Sequence, residues 1–346
     1  MTTPTMLPPP RLLDAAAPDL AAVAAGERPV VIANGAEGEP ASAKDRTLLA
    51  RAPHLALDGL QLAAEAVGAD RAYIYATSSA VRQAVAERRG DHIRVDAVAA
   101  PDRFVAGEES AVVAAVEGRR ALPRDTPRRV VEAGVRGRPT LVQNVETLAH
   151  LALIARHGAG WFRDLGTSDE PGTLLATVSG AVAAPGVQEI PHGLPLRSLV
   201  ALAGGPSEPV QALLVGGYHG TWLPASLVDT PMSRAALRPL GASPGAGVVV
   251  VLPLSRCGLV ESARIAGYLA EQSAGQCGPC VNGASGCTST GPPATAAACA
   301  RNCCPSCSTA TSGASRCRVT ARASQPCRLR WPTMPAARSA PARSSP

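Results

Sequence analysis

The chain has one lysine, Lys44, against 32 arginines, and it has no long apolar run. Its strongest run, residues 247–252, is far too short to span a bilayer. The opening stretch, MTTPTMLPPPRLLDAAAPD, has no continuous apolar segment behind a basic start, so it does not read as a secretory signal. These absences predict a soluble, cytoplasmic protein with no direct membrane insertion. Cysteine is nearly missing from the first 270 residues, and Cys257 reads as a lone buried thiol. The other nine of ten cysteines lie after residue 270. In a cytoplasmic chain such clustering favours metal or redox chemistry over a disulfide framework.

Acid is missing from the far end. After Gly283 there are eight arginines and no Asp or Glu, so the formal charge of +6 comes from that stretch. The body before it is mildly acidic, which removes the argument for a nucleic-acid partner. Residues 284–346 are Ala, Ser, Thr, Pro, Arg and Cys with one Val, one Leu and one aromatic, Trp331. That composition buries too little apolar surface to offset the entropy of ordering, so disorder is expected there. The abruptness of the change predicts translation in a shifted reading frame.

What is present is a rhythm of short apolar runs and helical patterns. Residues 1–28 offer an irregular leader with a short helical stretch at 19–25. Residues 29–33, Pro-Val-Val-Ile-Ala, suit a buried parallel strand ending in the loop Asn34-Gly-Ala-Glu-Gly-Glu-Pro40. A helix is expected over 54–67, a strand over 71–76, a helix over 81–89 and a strand over 93–98. Alternating strands and helices predict a layered α/β domain with a largely parallel sheet over 29–170. From about Gly172 the turns come closer together. Strands at 173–179, 187–190 and 211–215 with a helix at 194–203 form a ββαβ succession, which suits a β-grasp module over 171–230. Residues 231–283 then supply a return strand at 247–252, a helix at 259–272 and Ala274-Gly-Gln-Cys-Gly-Pro-Cys280.

Three constellations carry candidate chemistry. In the loop after the first strand, Gly35 and Gly38 permit close backbone approach, and Asn34, Glu37 and Glu39 can bond sugar hydroxyls. The plain alternative is a loop whose acids are only solvated. In Phe104-Val-Ala-Gly-Glu-Glu-Ser110, Gly107, Glu108 and Glu109 precede a helical stretch at 111–117. Carboxylates at a helix start are favoured by the dipole, so they also have an ordinary structural cause. In Pro139-Thr-Leu-Val-Gln-Asn-Val-Glu-Thr-Leu148, Asn144 is either a plain cap or, with Thr147 and free helix amides, a phosphate receiver.

Taken in order, these motifs, with Lys44-Asp-Arg46, Glu117-Gly-Arg119, Pro123-Arg124 and the Cys277/Cys280 pair, resemble one family. It is the flavin-carrying, NADH-binding subunit of respiratory NADH:quinone oxidoreductase, with relatives among NAD-linked hydrogenases and formate dehydrogenases. The resemblance covers residues 28–283 and implies FMN and NAD(H) held by Asn34, Glu37, Glu39, Gly107, Glu108, Glu109, Asn144 and Thr147. It implies a [4Fe–4S] cluster on Cys277 and Cys280, and ferredoxin-like or other iron–sulfur electron-transfer subunits as partners. The implied chemistry passes a hydride from NADH to FMN and then single electrons to the cluster.

The sequence departs from that pattern at both ends. The family's glycine-rich flavin loop has no counterpart, since residues 10–28 hold only Gly26. Ala274 stands where the first cluster cysteine is expected, and the fourth would fall in the 284–346 stretch, at Cys317 or Cys327. These departures predict weakened FMN binding and an impaired, truncated copy. The rival expectations are a non-catalytic remnant that binds nucleotide weakly or only contacts partners, and a zinc site on Cys277, Cys280, Cys304 and Cys307.

Overall fold

The computed structural model describes residues 17–124 and 128–276. Cys277, Cys280, the zinc alternative and the stretch expected to be disordered lie outside the described residues.

The first half is a parallel sheet between helices. Its elements are α1 (Ala17–Ala24), β1 (Val30–Gly35), α2 (Lys44–Arg51), α3 (Pro53–Val67), β2 (Arg71–Ala76) and α4 (Ser79–Glu87). They continue with β3 (Val95–Ala99), α5 (Glu109–Val116), α6 (Val130–Ala133), β4 (Thr140–Asn144) and α7 (Val145–Arg163). The strands run in the order β3-β2-β1-β4 with every pairing parallel.

Because side chains alternate across a strand, β1 feeds two cores. Val31 and Ala33 pack with Leu57, Leu60 and Ile74 beneath α3 and α7. Val30 and Ile32 pack on the opposite face with Tyr73, Tyr75, Val112 and Val130. The apolar run at the start of β1 is therefore buried on both sides, as a parallel strand requires.

Helices α3 and α7 cross in direct backbone contact. A Cβ built on Gly59 would lie 1.8 Å from the carbonyl oxygen of Leu148, so only glycine admits this approach. Strand β4 goes beyond what the sequence pattern predicts, since its five residues end in Gln143 and Asn144 and carry little apolar signal. It is held by register pairing with β1, from Val30 opposite Thr140 to Asn34 opposite Asn144.

The second half contains β5 (Thr173–Gly180), β6 (Gly186–Pro191), α8 (Leu196–Leu202), β7 (Val210–Val215) and β8 (Thr221–Pro224). It ends with α9 (Arg234–Leu237), β9 (Val248–Pro253) and α10 (Gly258–Glu271). The sheet order is β6-β5-β9-β7-β8, with β5 and β9 parallel and the other pairs antiparallel. This is the β-grasp arrangement, with α8 across one face. Leu196, Leu199 and Val200 meet Val178, Ile190, Leu213, Val249 and Val251 in one core.

Strand β9 is the central strand of this sheet, so the β-grasp unit extends beyond residues 171–230 into the segment read separately as 231–283. Without it, the β5–β6 and β7–β8 ribbons would each be left with an open inner edge. Among the described residues no helix is long and apolar enough to cross a membrane. Cys257 is free and half-buried, so the thiol is less enclosed than the sequence pattern predicts.

Candidate functional site

In the parallel sheet the chain steps from β1 to β2 to β3 and then returns to the other side of β1 as β4. The carboxyl ends of β1 and β4 therefore form the crevice at which open α/β sheets take their ligands. Asn34 and Asn144 are direct register partners at that point.

Asn34 ties the crevice together. Its Oδ1 accepts from the Ala36 amide at 3.1 Å, turning the chain out of β1, and its Nδ2 donates to the Gly107 carbonyl at 2.9 Å. Gly107 belongs to the loop after β3. A Cβ on Gly38 would lie 2.4 Å from the Phe104 carbonyl oxygen, so the two loops are in backbone contact. A Cβ on Gly35 would meet Leu49 at 2.7 Å. The close approaches expected of Gly35 and Gly38 are thus made to protein.

Asn144 is the N-cap of α7 and more. Its Oδ1 accepts from the Glu146 amide and from Lys44 Nζ, both at 3.0 Å. Its Nδ2 donates to Asp45 Oδ2 at 2.8 Å and to the Asn34 carbonyl at 3.3 Å. Lys44 Nζ also meets Asp45 Oδ1 at 2.6 Å and Glu146 Oε2 at 2.9 Å. Burial opposes the Lys44 charge, but the two carboxylates outweigh it and hold the ammonium above its ordinary range. The other oxygen of Glu146 accepts from the Leu175 amide of β5 at 2.6 Å, joining this cluster to the second sheet.

The acidic residues also have protein partners. Glu37 reaches forward to the start of α2, accepting from Ser42 Oγ at 2.8 Å and from the Asp45 and Arg46 amides at 3.1 and 3.2 Å. Glu39 accepts from the Ala41 amide at 3.1 Å and the Tyr218 amide at 2.9 Å. Glu108 is the N-cap of α5, accepting from the Ala111 amide at 3.0 Å and Ser110 Oγ at 2.6 Å. Glu109 stands exposed on the first turn of α5. Desolvation, with the nearby Asp19 and Glu108 charges, pushes its carboxyl up.

Thr147 lines a hollow of about 660 Å³ on the α7 side of the crevice, with Lys44, Asn144, His150 and His192. Burial lowers the pKa of both histidines. Their Nδ1 atoms are buried without hydrogen-bond partners.

Asn34, Gly107 and Asn144 are joined directly, with Glu37 and Glu39 on the loop after β1 and Glu108 on the loop after β3. Sequence reasoning assigns no role to Lys44 and Asp45 and overlooks Glu146 and Tyr218. For Lys44 a signal is there to find, since it is the one lysine in the chain and stands beside an acid. Nothing local announces Tyr218, whose contact to Glu39 spans the two sheets.

The amide and carboxylate set suits the hydroxyls of a ribityl or ribose chain. A phosphate would meet the amino end of α7, beside a lysine already matched by two carboxylates. The fold and crevice thus define an α/β body of the nucleotide-cofactor type carrying a β-grasp module.

The family profile described as "Nuo51 FMN-binding domain" matches residues 15–153, and that described as "SLBB domain" matches residues 175–217. The second F-type subunit of NADH-quinone oxidoreductase from Rhizobium meliloti is 35% identical over 281 residues, covering 75% of this chain and 67% of that protein. The F-type subunit of NADH-quinone oxidoreductase from Aquifex aeolicus is 34% identical over 271 residues, covering 72% and 62%. A crystal structure of NAD+-reducing [NiFe]-hydrogenase in the H2-reduced state aligns with a TM-score of 0.69 and 34% identity, covering 78% of this chain and 48% of that one. The chain belongs to the family of F-type NADH-quinone oxidoreductase subunits. It spans about two thirds of the length of these curated relatives and about half of the hydrogenase chain.

Proposed function

We propose that this chain is the nucleotide-holding body of an NADH-dehydrogenase-type flavoprotein subunit, with FMN and NAD(H) in the crevice between the loops after β1 and β3 and the β4–α7 junction. The observation that carries the reading is the convergence of Gly107 and Asn144 on Asn34 at the reversal of strand order. FMN, when bound, accepts a hydride from NADH and releases single electrons. The chain's own residues bind and orient. Glu39, Glu108 and Glu109 offer acceptors to sugar hydroxyls, Asn34 fixes the separation of two loops, and the α7 amides with Thr147 receive a phosphate. Ferredoxin-like or other iron–sulfur subunits are the partners this reading calls for.

The residues at the expected position do not fit a [4Fe–4S] cluster. Such a cluster takes four thiolates, while the motif at its expected place supplies Cys277 and Cys280 with Ala274 before them. Among the described residues there is no group of three or more metal-capable side chains.

A second reading, a non-catalytic remnant, is favoured by one specific observation. Glu37, Glu39, Glu108 and Asn144 each already bond to protein, so each has a structural task that needs no cofactor. One experiment separates the two. The purified chain is incubated with FMN, desalted and titrated with NADH in the presence of an electron-accepting dye. Yellow protein that reduces the dye supports the flavoprotein reading. Colourless protein whose melting temperature is unmoved by FMN or NADH rejects it in favour of the remnant.

A further inference from the structure

We infer that Glu39 is a positioning residue with two competing partners: it latches the β7–β8 turn to the crevice, and a nucleotide that draws its carboxylate releases that turn. The second half of this inference rests on the nucleotide reading above; the latch itself does not.

The latch is a single carboxylate crossing between the two sheets. Glu39 Oε2 accepts from the Tyr218 amide at 2.9 Å, while Oε1 accepts from its own loop at Ala41. The turn is shaped for this contact. Gly217 has φ of +101°, and a Cβ there would fall 2.6 Å from Glu39 Oε2, so a side chain at this position would expel the carboxylate.

Beyond the amide, aromatic rings carry the contact onward. The Tyr218 ring stands edge-on to Tyr268 at 5.5 Å, and Tyr268 stands edge-on to Phe104 at 6.4 Å. Phe104 in turn lies 5.2 Å from His219, closing a ring of contacts around the turn. Arg264 of α10 donates to the Tyr218 hydroxyl at 2.9 Å with its guanidinium 5.6 Å from the ring centre. The Phe104 amide donates to Gln272 Oε1 at 3.0 Å, just past the end of α10 and five residues before Cys277. The Glu39 loop therefore reaches α10 through the turn at 216–220, while the Phe104 loop reaches it directly. Swinging the Glu39 carboxylate toward a hydroxyl in the crevice moves Oε2 off the Tyr218 amide and frees that end of the chain of contacts.

Amide hydrogen exchange on the full chain tests both halves. Glu39→Ala is expected to speed exchange in the 216–220 segment at least tenfold and Glu39→Gln by less, since its amide oxygen still accepts, with β1 and β2 unchanged. No change at 216–220, or an equal rise across β1 and β2, overturns the latch. In the wild type, NADH is expected to speed exchange at 216–220 toward the Glu39→Ala value and to leave that variant's turn unaltered. NADH that raises the melting temperature without moving the turn overturns the competition and leaves the nucleotide reading intact. NADH that alters neither overturns the competition and the nucleotide reading together, while the latch stands or falls by the Glu39→Ala result.

Discussion

Lys44 shows why a buried charge cluster is structural before it is anything else. Its ammonium is nearly enclosed and faces Asp45 and Glu146, so removing it leaves two carboxylates side by side out of water. Lys44→Met is expected to cost about 3 kcal/mol or more, the range for breaking a buried ion pair, read from the urea unfolding midpoint. His150 and His192 make the opposite case, since burial keeps both neutral against the attraction of Glu146, Glu170 and Glu189. Their folded-state pKa values lie below the unfolded value of about 6.5, so below that pH the unfolded chain binds protons that the folded chain refuses. The stability they contribute is present above pH ~6.5 and is lost as pH falls through it. Melting temperature followed from pH 8 down through ~6.5 should therefore drop on the acid side. The double variant His150→Gln, His192→Gln should flatten that drop.

Among the elements, α2 and the α3–α7 contact depend on residues far away in sequence. The N-cap position of α2, Ala43, has no side-chain oxygen, and Glu37 supplies the missing acceptors from the preceding loop. Glu37→Ala should cost about 1 kcal/mol, the usual loss for a missing cap, with local amide exchange rising at the start of α2. Gly59 sets how closely α3 and α7 approach. Gly59→Ala should push the helices apart and cost about 2–3 kcal/mol in thermal unfolding, whereas Gly90→Ala, with open space around it, should be near neutral. Strands β1 and β2 and helices α3 and α10 are legible in the sequence within a residue or two, because strong apolar periodicity coincides with clear glycine and proline boundaries. Strands β4 and β8 and helix α2 are not. They are short and half polar, and their partners rather than their own composition decide their state.

At the scale of the molecule, β9 closes the second sheet from more than thirty residues beyond β7. A chain ending at residue 240 should lose cooperative melting of the β-grasp unit, whereas one ending at residue 276 should retain it, as followed by calorimetry. The sequence by itself determined the layered parallel sheet, the β-grasp succession and the family, because periodicity and ordered motifs are local properties that survive without a neighbour. It also marked the loops of the crevice. Only the tertiary structure decided what their side chains do. Asn34 bridges two loops, Glu37 and Glu108 cap helices, Lys44 joins two acids and Glu39 grips the opposite sheet. A hydrogen bond is chosen by which groups the packed backbone brings within about 3 Å, and no spacing along the chain contains that distance.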